Sequence, residues 1–279
     1  NDQDRPVCMG ELRLEYYLGQ SFVRLYHTVT FAGDPWREKL GSYGIRLRLA
    51  EAGFDSAAVE LDGRRVAGKK VSLLQGSSDG AALTVDGNTS TGRRSLGAVS
   101  LVGTGGTTAL YHRDFWQMAP KKLEADAKAG TVTYSYWPGE AGVMGFLPRE
   151  DGWIPCSSTA DAIAVGLSRT HEILIDFGSK TAVTEFEKRF GEPVVAVVPP
   201  RYLAQTKAML HLAPYDPERQ PMIERHIAAA IDFFEAQREI NGWYGEWVYG
   251  AISGFFNPEP FAWWDYGRYK WILNEEDIV

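Results

Sequence analysis

Three segments of the sequence are denser in polar and aromatic side chains than packing alone requires. Tyr111-His-Arg-Asp-Phe-Trp-Gln117, followed by Pro120-Lys-Lys-Leu-Glu124, offers Arg113 for bidentate pairing with a carboxylate and the ring of Trp116 for a sugar face. Gly166-Leu-Ser-Arg-Thr-His-Glu172 carries His171, a group whose ordinary pKa near neutrality suits a general base. Trp263-Trp-Asp-Tyr-Gly-Arg-Tyr-Lys-Trp271, with Asn274-Glu275, has too many polar tips for a plain core helix. Tyr266 and Tyr269 are candidates to protonate a leaving oxygen, and Asn274 and Glu275 candidates to bind hydroxyls or an ion. Each segment also has an ordinary structural reading: a strand and turn with solvated charges, a satisfied histidine, an aromatic core.

These groups must be positioned by the elements around them. Phe22–Phe31 alternates apolar and polar residues, the period of a half-buried strand, and Ile45–Leu49 does so strictly. Val59–Val66 reads as a hairpin around Asp62-Gly63. Further strands are expected at 11–17, 82–85, 97–102, 132–137 and 172–177, with Gly103-Thr-Gly-Gly106 as a turn. Many short strands between polar turns predict an antiparallel β-sandwich. Residues 180–190 are expected to form a short surface helix. After Pro199-Pro200 the pattern turns helical. Residues 201–212 are one candidate helix. Asp216-Pro217 is expected to open a second, in which Ile223, Ile227, Ile231 and Phe234 recur at helical spacing up to Asn241-Gly242. The expected organisation is a β domain over 1–198 and the start of a helical domain over 199–279.

Composition removes several function classes. The chain has 279 residues, with 29 Lys plus Arg against 36 Asp plus Glu, a formal charge of −7. That balance argues against general nucleic-acid binding. No apolar run is long enough to span a membrane. Cys8 and Cys156 form no CxxC motif, and no GxSxG, HExxH or nucleotide-binding glycine fingerprint is present. No motif identifies a cofactor; a divalent cation such as calcium is left open, without a ligand set. Aromatic residues are concentrated late: Trp243, Trp247, Trp263, Trp264 and Trp271 are five of nine tryptophans.

The motifs, taken in order, resemble those of the exo-rhamnogalacturonan lyases of polysaccharide lyase family 26 and their bacterial relatives. Ser21–Asp34 is similar to that family's VR-x-x-HT-x-x-x-x-GD strand pair. Arg113-Asp-Phe-Trp-Gln117 with Pro120-Lys-x-Leu-Glu-Ala125 resembles its RDFWQ…PK-x-LEA segment, and Gly166–Glu172 its G-x-x-RTHE segment. Asp265-Tyr-Gly-x-Tyr-x-Trp271 and Asn274-Glu275 resemble the opening of its helical domain. The sequence departs from the family where Phe261-Ala-Trp-Trp264 stands in place of a His-Thr-Trp-Arg run.

The resemblance implies a sandwich followed by the first part of an α/α toroid, with the end of a preceding β domain near the N-terminus. The abrupt ends of the chain fit a piece of a longer protein. The implied activity is β-elimination on a uronic-acid polysaccharide, in the periplasm or outside the cell. In that reading Arg169 or Arg113 neutralises the C6 carboxylate, His171 removes the C5 proton, and Tyr266 or Tyr269 protonates the C4 oxygen. Arg113, Trp116, Trp243, Tyr244, Trp264, Asp265, Trp271, Asn274 and Glu275 would hold the polysaccharide or oligosaccharide. Two alternatives stay open. A glycoside hydrolase would draw its carboxylates from Glu246, Asp265, Glu275 and Glu276. A non-catalytic carbohydrate-binding or structural protein needs neither chemistry. Oligomeric state and the pairing of the two cysteines are not specified by the sequence.

Overall fold

The computed structural model describes residues 6–34, 37–49, 53–144, 165–178, 190–191, 194–207, 213–247, 255–257 and 262–264. By contacts the chain divides into two compact units, Glu192–Trp243 and the remainder, Asn1–Gly191 with Tyr244–Val279.

The larger unit is a β-sandwich. Its first sheet holds β1 (Cys8–Tyr16), β2 (Phe22–Phe31), β4 (Ser56–Leu61), β5 (Arg64–Gly68), β9 (Ala98–Gly103), β10 (Gly106–His112) and β13 (Ser168–Phe177), in the order β1-β2-β13-β10-β9-β4-β5. The second holds β3 (Tyr43–Arg48), β6 (Lys70–Ser77), β7 (Gly80–Val85), β8 (Asn88–Gly92), β11 (Lys121–Asp126) and β12 (Thr131–Trp137), in the order β3-β12-β11-β6-β7-β8. All pairings are antiparallel, so side chains alternate between an inner and an outer face. Leu25, Val99, Leu110, Ile173 and Ile175 from the first sheet meet Leu73, Leu83, Leu123, Val132 and Tyr134 from the second in one buried core. The hairpin at Asp62-Gly63 is present, and a second Asp-Gly turn at Asp86-Gly87 joins β7 to β8. Positive φ at all four residues (50°, 75°, 47° and 91°) gives the backbone twist that a two-residue hairpin demands. Each aspartate also accepts backbone N–H groups from a segment bordering another strand: Asp62 from Arg93 and Arg94 just after β8, Asp86 from Lys69 and Lys70 at the start of β6.

The strand beginning at Glu172 in the sequence reading starts four residues earlier, at Ser168. Pairing with β2 recruits the polar residues Ser168–His171 into the ladder. The surface helix expected at 180–190 falls, but for Phe190, outside the described residues.

In the smaller unit α1 spans Pro200–Thr206 and α2 spans Pro221–Asn241. The α2 start corrects the expectation of a cap at Asp216. Asp216 instead heads a turn: its carboxylate accepts the Arg219 N–H and its carbonyl accepts the Gln220 N–H. Pro221 then takes the first helical position. Gly242, at φ 61°, ends the helix as expected.

The expected boundary near 198 lies close to the division at Gly191/Glu192. Tyr244–Trp247 belongs to the β unit, and β14 (Phe255–Asn257) pairs with β15 (Ala262–Trp264) as a short hairpin.

Candidate functional site

The site lies between the sheets at one end of the sandwich, where the alternation that buries apolar residues delivers polar ones instead. On β2 the inward series Val23, Leu25 continues to His27. On β13 the series Ile175, Ile173 continues to His171 and Arg169, and His27 stands opposite His171 in the ladder. On β10 the inward series Thr108, Leu110 ends at His112. On the facing sheet Ala125 and Leu123 lead to Lys121, and Val132 and Tyr134 lead to Tyr136. Glu246, more than a hundred residues on from β11, enters from the segment that follows the helical unit.

Lys121, His171 and Glu246 have no exposed surface. Lys121 Nζ donates to Glu246 Oε2 and, at 3.1 Å, to the Tyr136 carbonyl. Tyr43 donates its hydroxyl proton to Glu246 Oε1 at 2.6 Å. His171 Nε2 lies 3.1 Å from the same oxygen, a close polar contact whose direction falls outside hydrogen-bond geometry. The His171 ring is stacked on Tyr136, with centroids 3.5 Å apart and planes 6° apart. Tyr136 Oη is in turn 3.2 Å from His27 Nδ1. Next to Glu246, Trp247 is buried with Phe31, Leu40, Trp137 and Met144. One short segment therefore contributes both an anion and a large apolar side chain to the β unit.

The electrostatics follow from burial. Burial lowers His171 to about 4, against the pull of Glu246, so the imidazole is neutral at pH 7. Burial raises the Glu246 carboxyl, but the charge of Lys121, with His171, outweighs it and holds it below the usual range. Burial likewise lowers Lys121, with Glu246 opposing. The pair is ionic at neutral pH. His112 donates Nδ1–H to the Arg113 carbonyl at 2.7 Å, which leaves Nε2 a bare acceptor, buried and without a partner. Nδ1 of His171 is also buried without a partner.

The structure brings some of the sequence candidates to this end and separates others. Arg169 projects from the same face of β13 as His171, two residues nearer the rim. It is half-buried, with Nε donating to Met118 Sδ at 3.3 Å. Trp116 and Tyr244 come together with ring centroids 5.0 Å apart, but the Arg94 guanidinium lies over Trp116 at 3.9 Å. Arg113 is on the other side of the sheet. It pairs with Glu172 at 2.7 Å and donates to the Phe190 carbonyl at 2.6 Å. Arg24 binds the other oxygen of Glu172 at 2.7 Å. Arg113 and His171 thus face opposite ways because Glu172 and His171 are adjacent on one strand. Trp243 is half-buried at the end of the helical unit. Trp264 lies in β15, and only its backbone is described. Asp265, Tyr266, Tyr269, Trp271, Asn274 and Glu275 lie outside the described residues.

Sequence reasoning missed Lys121, Tyr43, Tyr136, His27 and His112. It weighed Glu246 only as a hydrolase carboxylate. A buried anion held low by a lysine is a poor proton donor, which counts against the general-acid half of that role. Among the described residues no group of three or more His, Cys, Asp and Glu side chains is arranged to hold a metal ion. No helix among them is long and apolar enough to cross a membrane.

Comparison with known proteins bears on both units. The chain is 26% identical over 200 residues, 66% of its length, to the uncharacterized protein YetA of Bacillus subtilis (strain 168). It spans 23% of the length of that relative. Residues 193–276 match the family described as PcRGLX-like protein C-terminal alpha/alpha toroid domain, a stretch that holds α1, α2 and the Glu246 segment, and this supports kinship with rhamnogalacturonan lyase-like proteins.

Proposed function

We propose that this chain is part of a carbohydrate-active protein, secreted or periplasmic, that cleaves a uronic-acid polysaccharide of the rhamnogalacturonan type by β-elimination. The match of residues 193–276 to the toroid domain family carries this reading. The geometry adds a cation at the rim and a neutral imidazole behind it.

In the proposed reaction Arg169 pairs with the C6 carboxylate, which acidifies the C5 proton. His171 accepts that proton; its neutral state at pH 7 is the one a base needs. The C5–H electrons form the C4–C5 double bond, the C4–O bond breaks, and Tyr266 or Tyr269 protonates the departing oxygen. His171 is covered by Tyr136, so contact with the sugar requires that ring to swing aside. A second reading, carbohydrate binding without turnover, is favoured by the complete burial of His171, Lys121 and Glu246.

The test is ultraviolet absorbance of the conjugated C4–C5 double bond on a panel of polyuronides. Rhamnogalacturonan is expected to give a rise, and Arg169→Gln to lower kcat/KM by roughly 100-fold. Reducing ends released without absorbance would establish a hydrolase instead. Binding with neither signal would establish the second reading.

A further inference from the structure

β1 is the outer strand of the seven-stranded sheet, and among the described residues it pairs with β2 alone. Leu12, Leu14 and Tyr16 stand on the face that buries Leu25 and Ile173 in neighbouring strands. Here they are 53%, 54% and 82% exposed. A nine-residue edge strand with an open apolar face is a template for another strand. Its opposite face carries Glu11, Arg13 and Glu15. Arg13 Nε is 3.4 Å from the half-exposed Glu15 and its guanidinium lies 4.5 Å over the Tyr26 ring, and an ion pair this close to solvent holds its partners weakly.

The sequence of this strand is self-complementary about Leu12. An antiparallel copy centred there sets Leu12 opposite Leu12, Gly10 opposite Leu14 and Cys8 opposite Tyr16 on one face. On the other face it sets Glu11 opposite Arg13, twice by symmetry, and Met9 opposite Glu15. All nine residues are paired. An axis at Arg13 would oppose Glu11 to Glu15, and an axis at Leu14 would keep only residues 12–16 of the strand in register. Opposite charges across a strand pair stabilise it and like charges destabilise it, so charge and length select Leu12.

We propose that a second copy of this chain docks on β1, antiparallel about Leu12, joining the two seven-stranded sheets across a twofold axis. Sedimentation velocity over a concentration series tests this with the full chain. A reversible dimer is expected. Glu11→Arg or Arg13→Glu alone should weaken it about tenfold or more, since each creates two like-charge pairs. The double variant Glu11→Arg/Arg13→Glu should restore it. With an axis at Leu14 the double variant would stay weak, because the introduced carboxylate would face Glu15. A monomer at all concentrations, a dimer indifferent to both single reversals, or failure of the double variant to recover overturns the proposal.

Discussion

Glu246→Ala is expected to lower the free energy of unfolding by about 3–5 kcal/mol. The loss comes less from the attraction removed than from what remains. Lys121 has no exposed surface, and without Glu246 burial either strands its charge between the sheets beside the Tyr136 carbonyl or strips its proton, and both cost free energy. Tyr43 loses its acceptor as well. A domain is stable by only about 5–15 kcal/mol, so a loss of this size takes much of the total and a second variant separates the pair from global unfolding. Lys121→Met/Glu246→Leu removes both charges and is expected to recover most of the loss, since a buried ion pair is worth little over apolar residues of similar volume. Urea unfolding at pH 7 measures both. A loss below about 1 kcal/mol for Glu246→Ala would mean that Lys121 reaches water and that the network is not closed.

Acidification is the second large effect. Burial lowers His171 to about 4, and lowers His112 and His27 as well. In the unfolded chain these groups return to about 6.5. Between the two values the unfolded chain binds protons that the folded chain does not, so stability falls as pH drops from about 6.5 toward 4. His171 alone accounts for about 3 kcal/mol, lost in full below its folded value. Glu246 acts in the same direction at lower pH. Its folded pKa is depressed, so its contribution is present above the unfolded value and is lost as pH falls further. Urea midpoints at pH 7 and at about pH 5 are expected to differ clearly, and His171→Gln to reduce the difference. A midpoint that stays level over this range would mean that the histidines are solvated.

Much of the fold was legible because a sandwich strand announces itself by alternation, and Phe22–Phe31 was matched to the residue. The polar end was harder to see, although its signal lay in the same alternation. Lys121, Leu123 and Ala125 share one parity, and two of the three are core residues, so Lys121 had to point inward. Pro120-Lys121-Lys122 reads as a solvated turn only if that parity is ignored; Lys122, one residue on, does face out to Glu140. The same parity places His112 after Leu110, His171 before Ile173 and His27 after Leu25. Glu246 carried no such signal. It partners β11 across a whole helical unit, and no local pattern encodes contacts at that separation. The helix start was misplaced for the opposite reason. Asp216-Pro217 is a strong local signal, but Pro221 offers a second helix start four residues later and the intervening turn satisfies Asp216.

The account rests on recognition of a uronate by Arg169 at the rim of this polar end. Titration calorimetry with rhamnogalacturonan oligosaccharides, and with the same oligosaccharides after reduction of their carboxylates to alcohols, tests it directly. The acidic oligosaccharide is expected to bind at least about tenfold more tightly than the reduced one, and Arg169→Gln to remove that preference while leaving the fold intact. Equal binding of both ligands by the unmodified chain, or a preference that survives Arg169→Gln, would contradict it.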